Sequence, residues 1–203
     1  MDIYGANGHA KVIIEIIEEL DYEVSNIYDD DLSISTTLDY SVNSVYNSST
    51  NLFIAIGNNL VRREFVRKFV RKFNISTYPI LIHPKAVISK RATIKEGTVI
   101  MTGVSVNSEV KIGKHCIINT NASIDHDCII DDFAHISPNV ALAGNVEVGE
   151  GTHVGIGACV IQGVRIGKWC TIGAGAVVIK DIPDGATVVG NPGRIIKIKD
   201  INE

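Results

Sequence analysis

The most chemically suggestive cluster in this sequence is a histidine between two carboxylates. Asp125, His126 and Asp127 follow one another in the chain. A neighbouring carboxylate can orient an imidazole ring and raise its basicity. His126 is therefore a candidate for acid–base chemistry, with either Asp125 or Asp127 supporting its ring. A surface histidine without a chemical role is the alternative.

Two further histidines have a spacing that matters for the fold. His135 and His153 lie eighteen residues apart, and Asn119 lies in the six-residue stretch before His126. Imidazole is a common ligand of catalytic Zn²⁺, and three histidines can form such a site. A zinc site of the carbonic anhydrase type at His126, His135 and His153 is therefore the alternative chemistry.

A period of six residues organises the part of the chain that carries these side chains. From Ile82 to Val178 an aliphatic residue returns at every sixth position without an insertion, seventeen times in all. From Ile88 onward, the residue two places before each of them is small or β-branched. Six is neither the helical period of 3.6 nor the alternation of a simple strand, so the repeat itself must be the structural unit.

This six-residue unit is typical of a β-helix. Branched aliphatic residues favour extended backbone, and a small residue before them lets the chain turn a tight corner over a packed interior. Three strands and three corners close one coil of eighteen residues, and successive coils stack about 4.8 Å apart. We therefore expect His135 and His153 to stack on adjacent coils. Cys116, Cys128 and Cys170 fall on the small inward position, which predicts that they fill the core.

The first 80 residues lack this period and alternate strand-like with helix-like segments. Apolar runs at Ile3–Tyr4, Val24–Tyr28 and Leu52–Ile56 predict strands, and this alternation predicts a parallel, Rossmann-like sheet. The first helix is expected to bury Val12, Ile13, Ile16, Ile17 and Leu20. The second, from about Leu60 to Phe73, is expected to bury Val61, Phe65, Phe69 and Phe73. Its basic residues are expected to face solvent, or to supply one diphosphate contact; they are Arg62, Arg63, Arg67, Lys68, Arg71 and Lys72.

Three segments that follow predicted strands suggest a ligand site: Asn7-Gly8-His9, Asp29-Asp30 and Gly57-Asn58. In parallel sheets, ligands bind beyond the carboxyl ends of the strands. Glycines let backbone N–H groups approach a phosphate at a helix N-terminus. Asp29 stands 21 residues after Gly8, where dinucleotide folds place a carboxylate for ribose hydroxyls. Because the full G-x-G-x-x-G fingerprint is missing, the segments predict a nucleotide site but do not support NAD.

The sequence thus divides into a nucleotide-binding domain at 1–80, a β-helix at 81–180 and a tail at 181–203. The tail is expected to return along the outside of the β-helix or to cross to a neighbouring copy. The 203 residues are 45% hydrophobic and 21% charged, with a net charge of -4, so composition gives no electrostatic case for nucleic acid. No apolar run reaches membrane-spanning length, and the start lacks a basic signal segment, so we expect a cytoplasmic protein.

Over nearly its full length the chain resembles the bacterial sugar acetyltransferases of the PglD and NeuD group. The resemblance rests on residues 4–9, 27–30 and 53–59, on Asn119-Thr120, on His126 with its two acids, and on residues 133–137 and 143–146. It implies a left-handed β-helix after the Rossmann-like domain, assembled as a homotrimer. It also implies acetyl-CoA as cosubstrate in a groove between neighbouring subunits, with no metal and no tightly bound cofactor.

The resemblance further implies roles for individual residues. The nucleotide of a UDP-amino-sugar is expected to contact Asn7, Gly8, His9, Asp29, Asp30 and Gly57. Acetyl-CoA is expected to contact Asn119, His135, Gly144, Ile156 and Ala174. The implied reaction moves acetyl to the 4-amino group of a UDP-amino-dideoxy-sugar for glycan biosynthesis, with His126 as the base. O-acetylation of a sialic-acid-type sugar is the nearest alternative, and a solenoid that binds a nucleotide-sugar without catalysis is another.

Overall fold

The structure, a computed structural model, describes residues 1–47, 51–75 and 77–201. Its amino-terminal elements are β1 (Asp2–Tyr4), α1 (Gly8–Glu19), β2 (Asn26–Tyr28), β3 (Thr36–Thr37), β4 (Tyr40–Asn43), β5 (Leu52–Ile54) and α2 (Asn59–Phe73). The five strands form one sheet in the order β3-β4-β2-β1-β5. β1 pairs in parallel with β2 and β5, and β4 joins β2 in parallel, whereas β3 and β4 form an antiparallel hairpin. The predicted parallel α/β arrangement is confirmed; the polar segment that forms the hairpin carried no strand signal.

Helix α1 is buried on two sides, which corrects the predicted apolar stripe. Ile14, which that stripe omitted, is fully buried, whereas Val12 is 36% exposed. The reason is that α1 packs against its own sheet and also against the β-helix, where Leu81 and Val99 belong to the same apolar cluster. A single stripe predicts one buried face, and a helix between two layers has two.

The buried face of helix α2 was predicted correctly at Phe69, with Phe65 and Phe73 packed against the same cluster, but wrongly at two positions. Its buried residues are Asn59, Arg62, Val66 and Phe69. Val61, expected in the core, is 36% exposed, and Arg62, expected in solvent, is 2% exposed. Burial of an arginine requires that its N–H groups find acceptors inside the protein. Two of those acceptors, the carbonyls of His115 and Phe133, come from the β-helix, and the others lie close to Arg62 in the chain.

The β-helix consists of seventeen strands of two residues, and every strand ends on one of the aliphatic residues with the period of six. Its strands are β6 (Leu81–Ile82), β7 (Val87–Ile88), β8 (Thr93–Ile94), β9 (Val99–Ile100), β10 (Ser105–Val106), β11 (Lys111–Ile112), β12 (Ile117–Ile118), β13 (Ser123–Ile124), β14 (Ile129–Ile130), β15 (His135–Ile136), β16 (Ala141–Leu142), β17 (Glu147–Val148), β18 (His153–Val154), β19 (Cys159–Val160), β20 (Arg165–Ile166), β21 (Thr171–Ile172) and β22 (Val177–Val178). Each strand pairs in parallel with the strand one coil away, as in β12 with β15 and β15 with β18. The predicted coil is confirmed.

Three parallel sheets form the faces of this prism. β6, β9, β12, β15, β18 and β21 form the docking face, against which the amino-terminal part packs. β7, β10, β13, β16, β19 and β22 form the small-residue face, and β8, β11, β14, β17 and β20 form the charged face. The chain passes from the docking to the small-residue to the charged face in every coil. Three corners therefore run the length of the prism, and each is named below by the two faces that it joins.

The interior of the prism is a dry column of aliphatic and small side chains. Ile118, Ile136 and Val154 on successive coils are all fully buried. Cys116 and Cys128 fill small inward positions of the same cluster, as predicted. Burial of this column is the main stabilising contribution, at roughly 25 cal/mol for each Å² of apolar surface removed from water.

The outward positions of the docking face change character along the prism. On the first three coils they are Leu81, Val99 and Ile117, which are at most 1% exposed because the amino-terminal part covers them. On the next two coils the corresponding positions are His135 and His153. The cover thus ends where the polar residues begin, and a cleft opens there.

The tail extends the docking face instead of forming a separate unit. β23 (Ala186–Val189) pairs in parallel with β21, and β24 (Arg194–Ile198) pairs antiparallel with β23. All five residues of β24 are exposed. In the part of the chain that the structure describes, none of the helices has the length and apolar character needed to cross a membrane.

Candidate active site

A cleft of about 910 Å³ lies between the amino-terminal part and the docking face. From the amino-terminal part it is lined by His9, Gly57, Asn58, Asn59, Leu60, Val61 and Arg63. From the β-helix and tail it is lined by Asn119, His135, Gly151, His153, Trp169, Cys170, Thr171, Lys199, Asp200 and Ile201. Four residues predicted to bind ligands, His9, Gly57, Asn119 and His135, therefore share one cavity.

His135 and His153 stack on adjacent coils, as their spacing predicted. Their ring centroids are 4.8 Å apart and their planes differ by 8°. Burial, and then the neighbouring His153, lower the pKa of His135 to about 2, and burial also lowers the pKa of His153. Both rings are therefore neutral at neutral pH, and act as hydrogen-bonding groups. Asn119 Nδ2 donates to His135 Nε2 at 3.1 Å, which leaves the ring proton of His135 on Nδ1.

His9 presents a second neutral imidazole to the cleft. It lies in the first turn of α1, and burial together with the charge of Arg62 lowers its pKa to about 4. Its Nε2 is buried and has no hydrogen-bond partner among the described residues. A Cβ at Gly57 would lie 3.8 Å from the Cβ of His9, so the two predicted ligand segments lie side by side. An unpaired buried nitrogen beside a cavity is available to a ligand.

The aspartates of the second segment lie outside the cleft lining. Asp29 accepts the backbone N–H groups of Ala6 and Asp31 at 2.8 and 2.9 Å, so its carboxylate ties the loop after β1 to the loop after β2. Asp30 accepts hydrogen bonds from the Tyr4 hydroxyl and from Lys68 Nζ, and its distance to Nζ is 3.1 Å. It lines a separate cavity of about 160 Å³. Asp29 and Asp30 thus already stabilise the loops around them, and their contact with a nucleotide stays a prediction.

The loop after β1 is fixed by a close backbone approach. Gly5 has φ of 108°, and a Cβ there would lie 2.7 Å from the carbonyl oxygen of Ala55, so only glycine fits. Asn7 and Gly8 follow at the N-terminus of α1, and both are exposed. Their backbone is therefore accessible to an anion at the end of the helix.

His126 stands on the corner between the small-residue and charged faces. Its Nδ1–H donates to Asp127 Oδ2 at 2.7 Å. This hydrogen bond and the charge of Asp125 raise the pKa of His126. Asp125 instead accepts the backbone N–H of His126 and the side chain of Asn107, each at 2.8 Å. The ring is thus supported by Asp127 and leaves Nε2 available to accept a proton.

Gly144 provides the space that the His126 ring occupies. It lies one coil after His126 in the column fixed by the pairing of β13 with β16. A Cβ at Gly144 would lie 2.6 Å from His126 Cε1 and 2.7 Å from Nε2. Ordinary contacts between carbon atoms are about 3.5–4.0 Å, so any other residue at 144 would displace the ring.

One chain does not bring all predicted acetyl-CoA residues together. Asn119 and His135 face the cleft, whereas Gly144 lies beneath His126 on another corner. Ile156 and Ala174 are exposed on the third corner, between the docking and small-residue faces, eighteen residues apart. In the described part of the chain, His135 and His153 line the cleft and His126 does not, so His126 lies apart from them. Among the described residues, none of the His, Cys, Asp and Glu side chains form a group of three or more suited to a metal ion.

Sequence reasoning missed an aromatic column on the corner between the charged and docking faces. His115 stacks on Phe133 with centroids 5.2 Å apart, and the Trp169 ring occupies the space over Gly151. The Arg63 guanidinium lies 4.1 Å from the centroid of Trp169, and both line the cleft. Spacing by eighteen residues was the available signal, since these four corner residues recur at that interval.

Comparisons with known proteins agree with both parts of the fold. Residues 2–69 match the family model of the PglD N-terminal domain, and residues 145–180 match that of the bacterial transferase hexapeptide, six repeats. UDP-N-acetylbacillosamine N-acetyltransferase of Bacillus subtilis (strain 168) is 41% identical over 109 residues, which is 49% of this chain and 50% of that protein. That match spans about half the length of the relative.

Solved structures match along almost the whole chain. A histidine-to-alanine variant of GDP-perosamine N-acetyltransferase from Caulobacter crescentus, in complex with CoA and GDP-perosamine, is 37% identical with a TM-score of 0.90, covering 97% of this chain and 96% of that chain. The acetyltransferase domain of PglB from Neisseria gonorrhoeae, in complex with acetyl coenzyme A, is 36% identical with a TM-score of 0.86, covering 96% and 98%.

Proposed function

This chain belongs to the hexapeptide-repeat sugar N-acetyltransferases, and we propose that it moves the acetyl group of acetyl-CoA to the 4-amino group of a UDP-linked amino-dideoxy-sugar. The observation that carries the proposal is the exposed His126 ring, with Nδ1 bonded to Asp127 and Nε2 without a hydrogen-bond partner among the described residues. This arrangement is what a general base for an attacking amine requires.

The proposed chemistry is direct transfer. The sugar amine attacks the thioester carbonyl while His126 Nε2 accepts the proton that the amine loses, and the thiolate of CoA leaves. Negative charge develops on the carbonyl oxygen, where hydrogen-bond donors stabilise it. Backbone N–H groups are the proposed donors, and the Nδ1–H of His135 is a candidate beside them because the pKa of this buried ring keeps it neutral.

The two substrates are assigned to different parts of the chain. The nucleotide-sugar is placed at the carboxyl ends of β1, β2 and β5, where His9 and Gly57 reach the cleft. Acetyl-CoA is placed along the β-helix, where Ile156 and Ala174 are exposed one coil apart in a register suited to an extended pantetheine arm. UDP is proposed as the nucleotide because of the resemblance to UDP-sugar enzymes; a relative that binds GDP-perosamine makes GDP the alternative to test.

We further propose that the active site is completed between copies in a homotrimer. His126 and the cleft residues lie on different corners of one prism, so a single chain offers two half-sites that do not meet. Cyclic symmetry brings the base corner of one copy against the cleft of the next and repeats this at every interface. Each closed trimer would then hold three equivalent sites.

A thiol-release assay tests the activity. Acetyl-CoA is offered with a panel of UDP- and GDP-linked 4-amino-sugars, and CoA release is followed. We expect one 4-amino-sugar to give saturable turnover, and we expect His126→Ala to lower kcat by about 10²–10⁴-fold with little change in the acetyl-CoA KM. Absence of turnover with every sugar would contradict the reaction, and more than about a tenth of wild-type kcat in His126→Ala would contradict the base.

Co-expression of two inactive variants tests the shared site. His126→Ala removes the base, and Gly57→Leu fills the nucleotide loop of the cleft. In a random mixed trimer about a quarter of sites combine an intact corner with an intact cleft, so about a quarter of wild-type activity should return. A mixture as inactive as each variant alone would show that both halves belong to the same subunit.

A further inference from the structure

Arg62 is a buried cation at the junction between the two parts of the molecule. It lies in the first turns of α2 and is 2% exposed. Nε donates to the carbonyl of His115 at 2.9 Å, Nη1 to those of Ile56 and Gly57 at 2.9 and 3.1 Å, and Nη2 to the carbonyl of Phe133 at 2.9 Å and to Asn59 Oδ1 at 3.0 Å. All three guanidinium nitrogens are therefore engaged.

The acceptors belong to both proposed half-sites. Ile56 and Gly57 lie in the loop after β5, which is proposed to contact the nucleotide-sugar. Phe133 lies two residues before His135, and His115 occupies the same corner one coil earlier. Arg62 thus connects the loop that is expected to hold one substrate with the strand whose histidine faces the cleft.

Asn59 extends this junction by one more coil. Its Nδ2 donates to the carbonyl of Gly151 at 3.0 Å. His115, Phe133 and Gly151 have φ of 53°, 61° and 66°, so the same left-handed turn recurs on three successive coils. Two side chains at the start of α2 therefore bind one carbonyl from each of these turns.

The partners of Arg62 distinguish it from a salt bridge. Its recorded hydrogen bonds reach four backbone carbonyls and one amide, without a carboxylate. Burial lowers the pKa of Arg62 to about 10, which leaves it charged at neutral pH. A planar fork with five N–H groups suits several fixed acceptors, whereas a lysine ammonium has three N–H groups in a different geometry. The arrangement of acceptors therefore requires the planar guanidinium group of arginine and not only a positive charge.

We infer that Arg62 is a positioning residue that fixes the Gly57 loop relative to the His135 strand, so that a nucleotide-sugar bound to one part meets the acetyl donor held by the other. The inference rests on the proposed division of substrates between the two parts. The loop and the strand must be held precisely relative to each other, because displacing reacting groups by about 1 Å can cost about 10²-fold in rate. The proposed acetyl-CoA contacts His135, Ile156 and Ala174 are held in place by strand pairing within the β-helix, so they should keep their positions when the Gly57 loop moves.

Arg62→Lys in the full chain tests the inference, with Arg67→Lys, on the exposed side of the same helix, as the matched control. We expect Arg62→Lys to lower kcat/KM for the nucleotide-sugar by about 10–10²-fold, with the acetyl-CoA Kd from calorimetry within about twofold of wild type. Hydrogen exchange should rise in residues 56–58 and 133–136 together. Arg67→Lys should change none of these quantities.

Asn59→Ala is the milder second variant should Arg62→Lys fail to fold, because it removes the contact with Gly151 and keeps the arginine. Asn59→Ala should also lower kcat/KM for the nucleotide-sugar while it leaves acetyl-CoA binding nearly unchanged. It should raise hydrogen exchange in residues 56–58 and 133–136 together. A lowered unfolding temperature with unchanged kcat/KM, or equal losses for both substrates, would assign the junction to stability alone and overturn the inference. If wild type transfers no acetyl group, the proposed function fails. The positioning role then requires that Arg62→Lys raise exchange in both segments together and leave it unchanged in the rest of the β-helix; a rise spread over the whole chain would overturn it.

Discussion

Replacement of Gly144 by alanine isolates the placement of the proposed base from its chemistry. Gly144 lies one coil from His126, and the added Cβ would come within 2.6 Å of His126 Cε1 and 2.7 Å of Nε2. Contacts between carbon atoms are about 3.5–4.0 Å, so the ring must shift by about 1 Å. The backbone itself should accept alanine, because Gly144 is not among the residues with positive φ.

The expected result is a loss of about 10²-fold in kcat, the cost of displacing a reacting group by about 1 Å. The fold should persist, because the His126 side chain is 59% exposed and can move without disturbing the core. The acetyl-CoA KM should change little if Gly144 acts through the His126 ring. If Gly144 instead serves only as a contact for acetyl-CoA, as the family resemblance implies, KM should rise and kcat should remain.

Steady-state kinetics with both substrates, beside thermal unfolding, separates these outcomes. Gln162→Ala is the matched control, since Gln162 occupies the same column one coil beyond Gly144. It should keep wild-type kcat and both KM values. A Gly144→Ala variant that keeps more than about a third of wild-type kcat, well above the loss expected for this displacement, would refute the reasoning that His126 acts from this position.

Two other predictions concern protonation. Asp127→Asn should move the acid limb of the kcat/KM profile to lower pH, because the hydrogen bond that raises the pKa of His126 is weakened, while Asp125→Asn should move it less; equal shifts would contradict the assignment. In His115→Phe, the unfolding temperature should fall less steeply than in wild type as the pH is lowered from 7 to 4. Burial lowers the pKa of His115 to about 4, so its contribution to stability is present above the unfolded value of about 6.5 and is lost as pH falls towards 4, by up to about 1.4 kcal/mol per pH unit. Thermal scans from pH 7 to 4 that show identical slopes would contradict this origin.

The features that follow from a repeated local pattern could be predicted from the sequence. Every two-residue strand of the β-helix ends where the period of six placed an aliphatic residue, because the same steric rule acts at each corner. The stacking of His135 on His153 follows from eighteen residues per coil. The inward cysteines follow from the same phase.

Features that depend on contacts between remote segments could not be predicted. The helical pattern of α2 gives no sign that Arg62 is buried, because its acceptors on His115 and Phe133 lie more than fifty residues away in the chain. Ile14 was left out of the predicted buried stripe because nothing local shows that α1 packs between two layers. Which aspartate supports His126 depends on side-chain rotamers, and adjacent acids in the sequence cannot resolve that choice.

The phase of the repeat also gives a physical reason for the proposed division of the active site between copies. His126 and His135 are nine residues apart, which is half of an eighteen-residue coil, so they occupy different sides of the prism whatever their rotamers. A β-helix has no loop in these coils that could bring such positions together, because its strands are two residues long and the repeat has no insertion. Catalysis that uses both histidines therefore requires a second prism whose corner meets the cleft. The rigid repeat, which fixes each group on its own face, makes assembly between copies the remaining way to combine them.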